Sequence, residues 1–239
     1  MRVAMPDTVR RLPLDRPRQA VVELTEIVAG LRDAPTSAAD LEALATEAVE
    51  LVLDNADGSA VLLAVVTHPD AAPALLTGVL MEVPGEWDSS VVMSLRDAVL
   101  DAGGPDVRDS TTIDTELGRA VVVQRVPGPE QVRDRRPLTL QLQAFVPWPG
   151  TGQLLLLTLA CPSSYGWTEH QRLLGGIVAS AGWPRPGDEG YAEYDEPAGP
   201  DLGTAPVPTA RSGDGAARRG TREDDHTAED SFETHTYRL

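Results

Sequence analysis

Apolar residues along the first 183 positions recur with a helical period of about 3.6 in some stretches and a strand period of about 2 in others. Residues 18–31 set Val21, Leu24, Val28 and Leu31 at helical spacing, and Pro35 ends the run. Ser37 then stands where a helix N-cap belongs, ahead of a second helix over residues 37–54 with Leu41, Leu44, Ala48, Leu51 and Val52 on one face. The β-branched run 60–66 reads as a buried strand and 75–83 as its successor, closed by Pro84 and Gly85. A helix begins at Asp88 or Ser89 and stops at Gly103 and Gly104. Strands over 107–115 and 119–126 follow, separated by a turn at 116–118. Residues 138–144 alternate strictly and predict a half-exposed strand, with Thr139, Gln141, Gln143 and Phe145 on one side. Residues 149–152 supply a hairpin loop, beside which Trp148 is expected. The partner run, 154–161, is nearly all apolar and reads as central. A last helix opens near Thr168, which forms a capping-box spacing with Gln171, and turns Leu173, Leu174, Ile177 and Val178 to the sheet.

Successive hairpins predict an α+β fold with a mainly antiparallel sheet of about six strands and helices packed on it, since parallel neighbours need longer crossovers. Residues 1–10 are expected to be a flexible N-terminus and 11–183 a single domain. After Trp183 the apolar period stops and Pro, Gly and charge take over. Residues 184–239 hold 13 acidic residues against 6 arginines and few bulky apolar groups, the composition of a disordered acidic tail. Its last stretch, 221–239, is poorer in Pro and Gly and could become helical on a partner.

The order helix, helix, strand, strand, helix, four strands, helix, closing on LLLLTLACPSSYGWTEHQRLLGGIVASAGW, resembles the PsbP-like fold. More narrowly it resembles a group of actinobacterial cytoplasmic proteins of that fold, which also occurs in some mycobacterial lipoproteins. The resemblance runs over residues 11–183, and its most specific pieces are the hairpin at 147–150 and the final helix ending in a tryptophan. It implies binding and assembly roles, and it brings no catalytic residue with it.

Charge narrows the partners. The chain has a formal net charge of −17, and all of its basic residues are arginine. Such a field repels phosphate backbones and anionic lipid heads, and aromatics at 4% leave little for base stacking, so no nucleic-acid partner is expected. No run approaches the ~18 apolar residues of a membrane span. The arginine-bearing start has no apolar core of a signal peptide, which predicts a cytoplasmic protein without a membrane span. The single cysteine, Cys161, forms no intrachain disulfide and reads as a buried thiol.

No phosphate loop, dinucleotide-binding glycine pattern, nucleophile elbow or paired-cysteine motif is present, and the four histidines lack ligand spacing. The expectation is therefore a protein that is not an enzyme and takes no cofactor or metal. Cys161 with His170 is the one nucleophile–base pairing to weigh, against a buried thiol and a surface imidazole. Tyr191 and Asp195, like Tyr165 and Glu169, match a short type VII secretion pattern without its paired-helix context.

The leading functional expectation is a protein-interaction or assembly module. Alternatives are an accessory or chaperone-like component of an actinobacterial secretion system, and an enzyme with an unrecognised site. The residues singled out for a protein partner are Arg133, Arg135 and Arg136, the one dense basic cluster of an acidic body, together with Trp148 at the far end of the same strand. The amide-bearing face of that strand also leaves room for a homodimer.

Overall fold

The computed structural model describes residues 1–31, 37–55, 59–83, 87–102, 104, 106–127, 139–185 and, for their backbone, 234–238. It has an α+β architecture. Seven antiparallel strands form one open sheet in the order β2-β3-β4-β8-β7-β6-β5, from β2 (Val9–Arg11), β3 (Ala60–Val66), β4 (Ala74–Glu82), β5 (Val107–Thr115), β6 (Gly118–Arg125), β7 (Leu140–Trp148) and β8 (Gln153–Cys161). Four helices are described, α1 (Pro17–Leu31), α2 (Ala38–Asn55), α3 (Ser89–Ala102) and α4 (Trp167–Ala179). A separate two-stranded ribbon joins β1 (Arg2–Pro6) to β9 (Thr234–Arg238).

The sheet has an inner and an outer face because strand side chains alternate. Along β8, Leu155, Leu157, Leu159 and Cys161 point inward and are fully buried. They pack with Leu76 of β4, Ala144 and Val146 of β7, and Leu174, Ile177 and Val178 of α4, as the apolar spacing of that helix predicts. Gly78 belongs to the same layer. A Cβ there would lie 2.9 Å from Leu62 Cβ and 3.3 Å from Leu157, so β3 and β8 leave no room for a larger residue. The outer face carries two separate patches: α1 and α2 over Leu63 and Val65 of β3, and α3 over Val121 and Val123 of β6.

The N-terminus departs from its expected flexibility. Met1, Val3 and Met5 are each about 1% exposed and belong to the inner core beside α4. The alternation of Met1, Val3 and Met5 is a short strand period, masked in the sequence by Arg2 and Pro6 on either side. Arg2 N–H donates to Gly182 O at 2.8 Å and Gly182 N–H returns to Arg2 O at 2.9 Å, while Ala4 N–H donates to Ser180 Oγ. Those bonds connect residues nearly the whole domain apart, which no local pattern reports. β2 is the further strand that raises the sheet from six to seven.

Two helices sit differently from the pattern. The Ser37 cap is present, its Oγ accepting Asp40 N–H at 3.1 Å. The buried stripe of α2, however, is Leu41, Ala45 and Val49, with Leu44 50% and Leu51 60% exposed. Small Ala45 faces inward because α2 packs chiefly against α1 and hardly on the sheet, and two closely apposed helices favour a small residue at the contact. α4 starts at Trp167, behind a left-handed Gly166 (φ 69°), without the Thr168 capping box. Gly166 abuts Ala71 and Asp70 O so closely that a Cβ would overlap both, and the contact between chain segments, not a side-chain cap, sets the first turn. Of residues 184–239, only Pro184, Arg185 and the strand 234–238 are described. That strand is formed in the chain alone, whereas the helix expected over 221–239 was one formed on a partner.

Two substitutions test this packing. Met5→Ala should lower stability by about 2–5 kcal/mol in urea titration, the range for a buried long side chain, where a flexible terminus would show no change. Gly166→Ala should lower it by about 2 kcal/mol or more, from positive φ and overlap together.

Candidate functional site

Between the two helix-covered patches lies a strip of the outer face made by β4, β8 and β7. Its residues stand in register across the three strands. One row is Thr77, Thr158 and Gln143; the next is Val79, Leu156 and Phe145; the third is Met81, Leu154 and Pro147. The first two rows are half-buried throughout, while Leu155, Leu157 and Leu159, one position along β8, are fully buried. Met81 is 41% exposed. The rows run on beneath α1 and α2 at one end, where Thr77 pairs with Leu63, and beneath α3 at the other, where Phe145 pairs with Val121.

A polar border holds the strip at the β6 end. Arg125 Nε donates to Gln143 Oε1 at 2.9 Å, and Arg125 Nη1 bonds Asp106 Oδ2 at 2.9 Å. Each partner fixes the next, so Gln143 is oriented before anything meets it. Thr77 Oγ1 reaches Thr158 O at 3.4 Å across the central pair. The surface is thus an apolar row flanked by fixed amide and hydroxyl groups, the composition of an interface centre with a polar margin. Of the exposed apolar residues elsewhere, Leu44 and Leu51 on α2, and Met93 and Leu100 on α3, recur at seven-residue spacing along their helices.

The residues singled out from sequence stand elsewhere. Trp148 ends β7 in register with Gln153. It packs half-buried against the inner core, on the sheet face opposite the strip, and its carbonyl accepts Thr151 Oγ1 at 2.7 Å. Its place in a strand that continues past residue 144 makes it a lid on the core. Arg133, Arg135 and Arg136 precede β7 in the chain and lie outside the described residues. Trp87 closes the smaller outer patch, donating Nε1–H to Arg119 O at 2.9 Å. Asp88 caps α3: its carboxylate accepts Val91 N–H, then Ser90 Oγ–H and Ser90 N–H, which holds its pKa below the ordinary carboxylate value.

Cys161 and His170 are brought into one buried region, each tied to backbone. The thiol donates to Ser163 O at 3.1 Å and approaches Pro73 O at 3.7 Å. His170 is fully buried, not a surface imidazole as expected. Its Nε2 lies 2.8 Å from Ala72 O, a pure acceptor, so Nε2 carries the proton. Trp167 stands edge-on to the ring at 6.2 Å between centroids. Desolvation pushes the His170 pKa below its ordinary value; the Ala72 bond opposes this, and the charge of His68 adds to it. A thiol and an imidazole that both spend their protons on carbonyls make structural bonds. Among the described residues, no group of His, Cys, Asp and Glu is placed to hold a metal ion.

The direction of the His170 shift gives a pH dependence. Its folded pKa lies below the unfolded value, so the unfolded chain binds the proton first. Stability should hold above about pH 7 and fall as pH drops below about 6.5, levelling off below the folded pKa. In His170→Gln, which keeps a donor for Ala72 O, urea midpoints compared between pH 7.5 and pH 5 should lose most of that dependence. An unchanged slope would assign it to other groups.

The comparisons with known proteins complete the picture: no family model, curated protein or solved structure matches the chain.

Proposed function

We propose that this protein is a protein-interaction or assembly module whose partner binds the outer strip of β4, β8 and β7. The single observation that supports it is the row Val79, Leu156 and Phe145, with Met81 beside it. Val79 and Leu156 stand there half-buried on central strands, in register with Phe145, which packs against the α3 patch at the β6 end. A row of this kind loses little conformational entropy on contact, because the strands beneath it are already held on both edges. Thr77, Thr158 and the anchored Gln143 supply directional hydrogen bonds beside it.

The partner on this reading is a protein with an apolar centre and a neutral to basic margin, since the chain carries a net charge of −17 and would repel an acidic one. The resemblance of the element order to PsbP-like assembly proteins agrees with a binding role.

The test is site-specific photocrosslinking in the native cell from position 81, with position 94 on the exposed side of α3 as control. One stoichiometric adduct should form from position 81 and not from 94. Leu156→Arg should reduce it at least tenfold, with the melting temperature shifted by less than about 5 °C, the equivalent of about 1 kcal/mol. Equal adducts from both positions, or none from position 81, would reject the strip as the contact surface.

A further inference from the structure

The inner face of the sheet is not closed where α4 meets β5 and β6. The strands set Asp109, Gln124 and Leu142 in one register row, and Thr111 and Val122 in the next. Alternation turns both rows to the inner face, the side on which Leu142 is buried with Leu174 of α4. A cavity of about 150 Å³ lies between these rows and the helix. Ile113, Val122 and Leu142 line it from the sheet, and Gln171, Leu174 and Gly175 from the helix. Leu142 and Leu174 are buried and Ile113 and Val122 half-buried, while Asp109, Thr111 and Gln171 stand exposed at its mouth.

Polar groups converge on this apolar lining. Gln171 Nε2–H donates to Gln124 Oε1 at 2.9 Å, which leaves the Gln124 amino group and the Gln171 carbonyl oxygen to a ligand, on side chains already oriented. Of the residues that line the cavity, Asp109 alone is charged, and its carboxylate makes no ion pair or hydrogen bond among the described residues. Gly175 borders the cavity from the middle of α4. A Cβ there would meet only Ile113 Cδ1, at 4.0 Å. Alanine would fit that space and favour the helix, so packing does not require the glycine, and its missing side chain keeps the cavity open.

We propose that this cavity binds a small primary amine whose body is apolar and about the size of a benzene ring. A cavity of this volume with an aliphatic lining holds one such ring. Ile113, Val122, Leu142 and Leu174 take the hydrocarbon out of water. The ammonium group pairs with Asp109 at the mouth, where the Gln171 carbonyl oxygen offers a second acceptor. A chain of net charge −17 concentrates cations at its surface and repels carboxylates, which selects the amine over an acid of the same size. The cavity lies on the sheet face opposite the β4, β8 and β7 strip, so the proposal stands whether or not a protein binds that strip.

The test is an amide NMR titration of the full chain at pH 7 and constant ionic strength. The probe is benzylamine, with benzyl alcohol and benzoate as its neutral and anionic counterparts. Benzylamine should give saturable shifts centred on Asp109, Val122, Gln124 and Gly175, with a Kd on the order of 1 mM or tighter, the affinity open to a ligand of about eight heavy atoms. Asp109 is exposed, so its pairing is worth a modest factor: benzyl alcohol and benzoate should each bind at least threefold more weakly. Asp109→Asn should weaken benzylamine by the same factor and leave benzyl alcohol unchanged. Gly175→Leu, which fills the cavity from the helix, should abolish the binding. Failure of benzylamine to saturate, equal binding of the alcohol or the acid, or shifts centred outside the cavity would each overturn the proposal, as would an unchanged affinity in Asp109→Asn. If Gly175→Leu loses the dispersed spectrum of a folded chain, Thr111→Phe, exposed on β5, fills the cavity in its place under the same criterion. Benzylamine binding retained in either folded variant would also overturn it.

Discussion

The inner face of the sheet is the constraint from which the rest of the molecule follows. Leu155, Leu157 and Leu159 of β8, with Leu76 of β4 and Ala144 and Val146 of β7, form a continuous apolar layer that must be taken out of water. At about 1.5–3 kcal/mol for each large side chain buried, this layer is the largest single source of stability in the domain. One helix, α4, is too narrow to cover it, because a helix with its side chains is about 10–12 Å across and seven strands at about 4.8 Å spacing are far wider. The N-terminal strand completes the cover, which is why Met1, Val3 and Met5 are buried at a chain end.

Seating α4 on that layer determines its surroundings. The helix must begin where residues 71–72 pass, so Gly166 takes a left-handed conformation against Ala71, and Ala72 N–H donates to Tyr165 O at 3.0 Å. The same crossing sets His170 beneath Ala72 O, out of contact with water. An imidazole there is a structural donor whose proton satisfies a carbonyl that would otherwise be buried unpaired. Cys161, closing the inward row of β8, meets the same crossing at Pro73 O. Through these bonds His170 and Cys161 tie α4 and β8 to the segment 71–73.

The outer face has the opposite history. α1 and α2 pack on each other and on the β3 end, α3 packs on β5 and β6 and reaches Phe145, and the strands between keep a half-buried apolar row. The candidate strip is a consequence of incomplete cover: it lies between the two helix-covered patches of the outer face. The strip needs no charged cluster or cavity, and its proposed contacts are apolar ones in a chain of net charge −17.

Much of the fold is written locally. The 2-residue and 3.6-residue periods place all four helices and six of the seven strands of the main sheet within a few residues, because each period reports on one element against one apolar surface. The strong inward row of β8 and the Ser37 cap are readable for the same reason: both depend on residues that are near neighbours in the chain. What lies between distant residues is not readable in this way. The burial of His170 depends on Ala72, 98 positions away, and the seating of β1 on Gly182 and Ser180, some 180 positions away. The turn of α2 that hides Ala45 and exposes Leu44 depends on α1 and not on its own apolar spacing. The nearly all-apolar run 154–161 marks a central strand, yet it cannot say that Leu156 stays half-buried on the outer face while Leu155 and Leu157 are fully buried. An amino-acid sequence states which side chains need cover; only the arrangement of the chain in space decides which of them receive it.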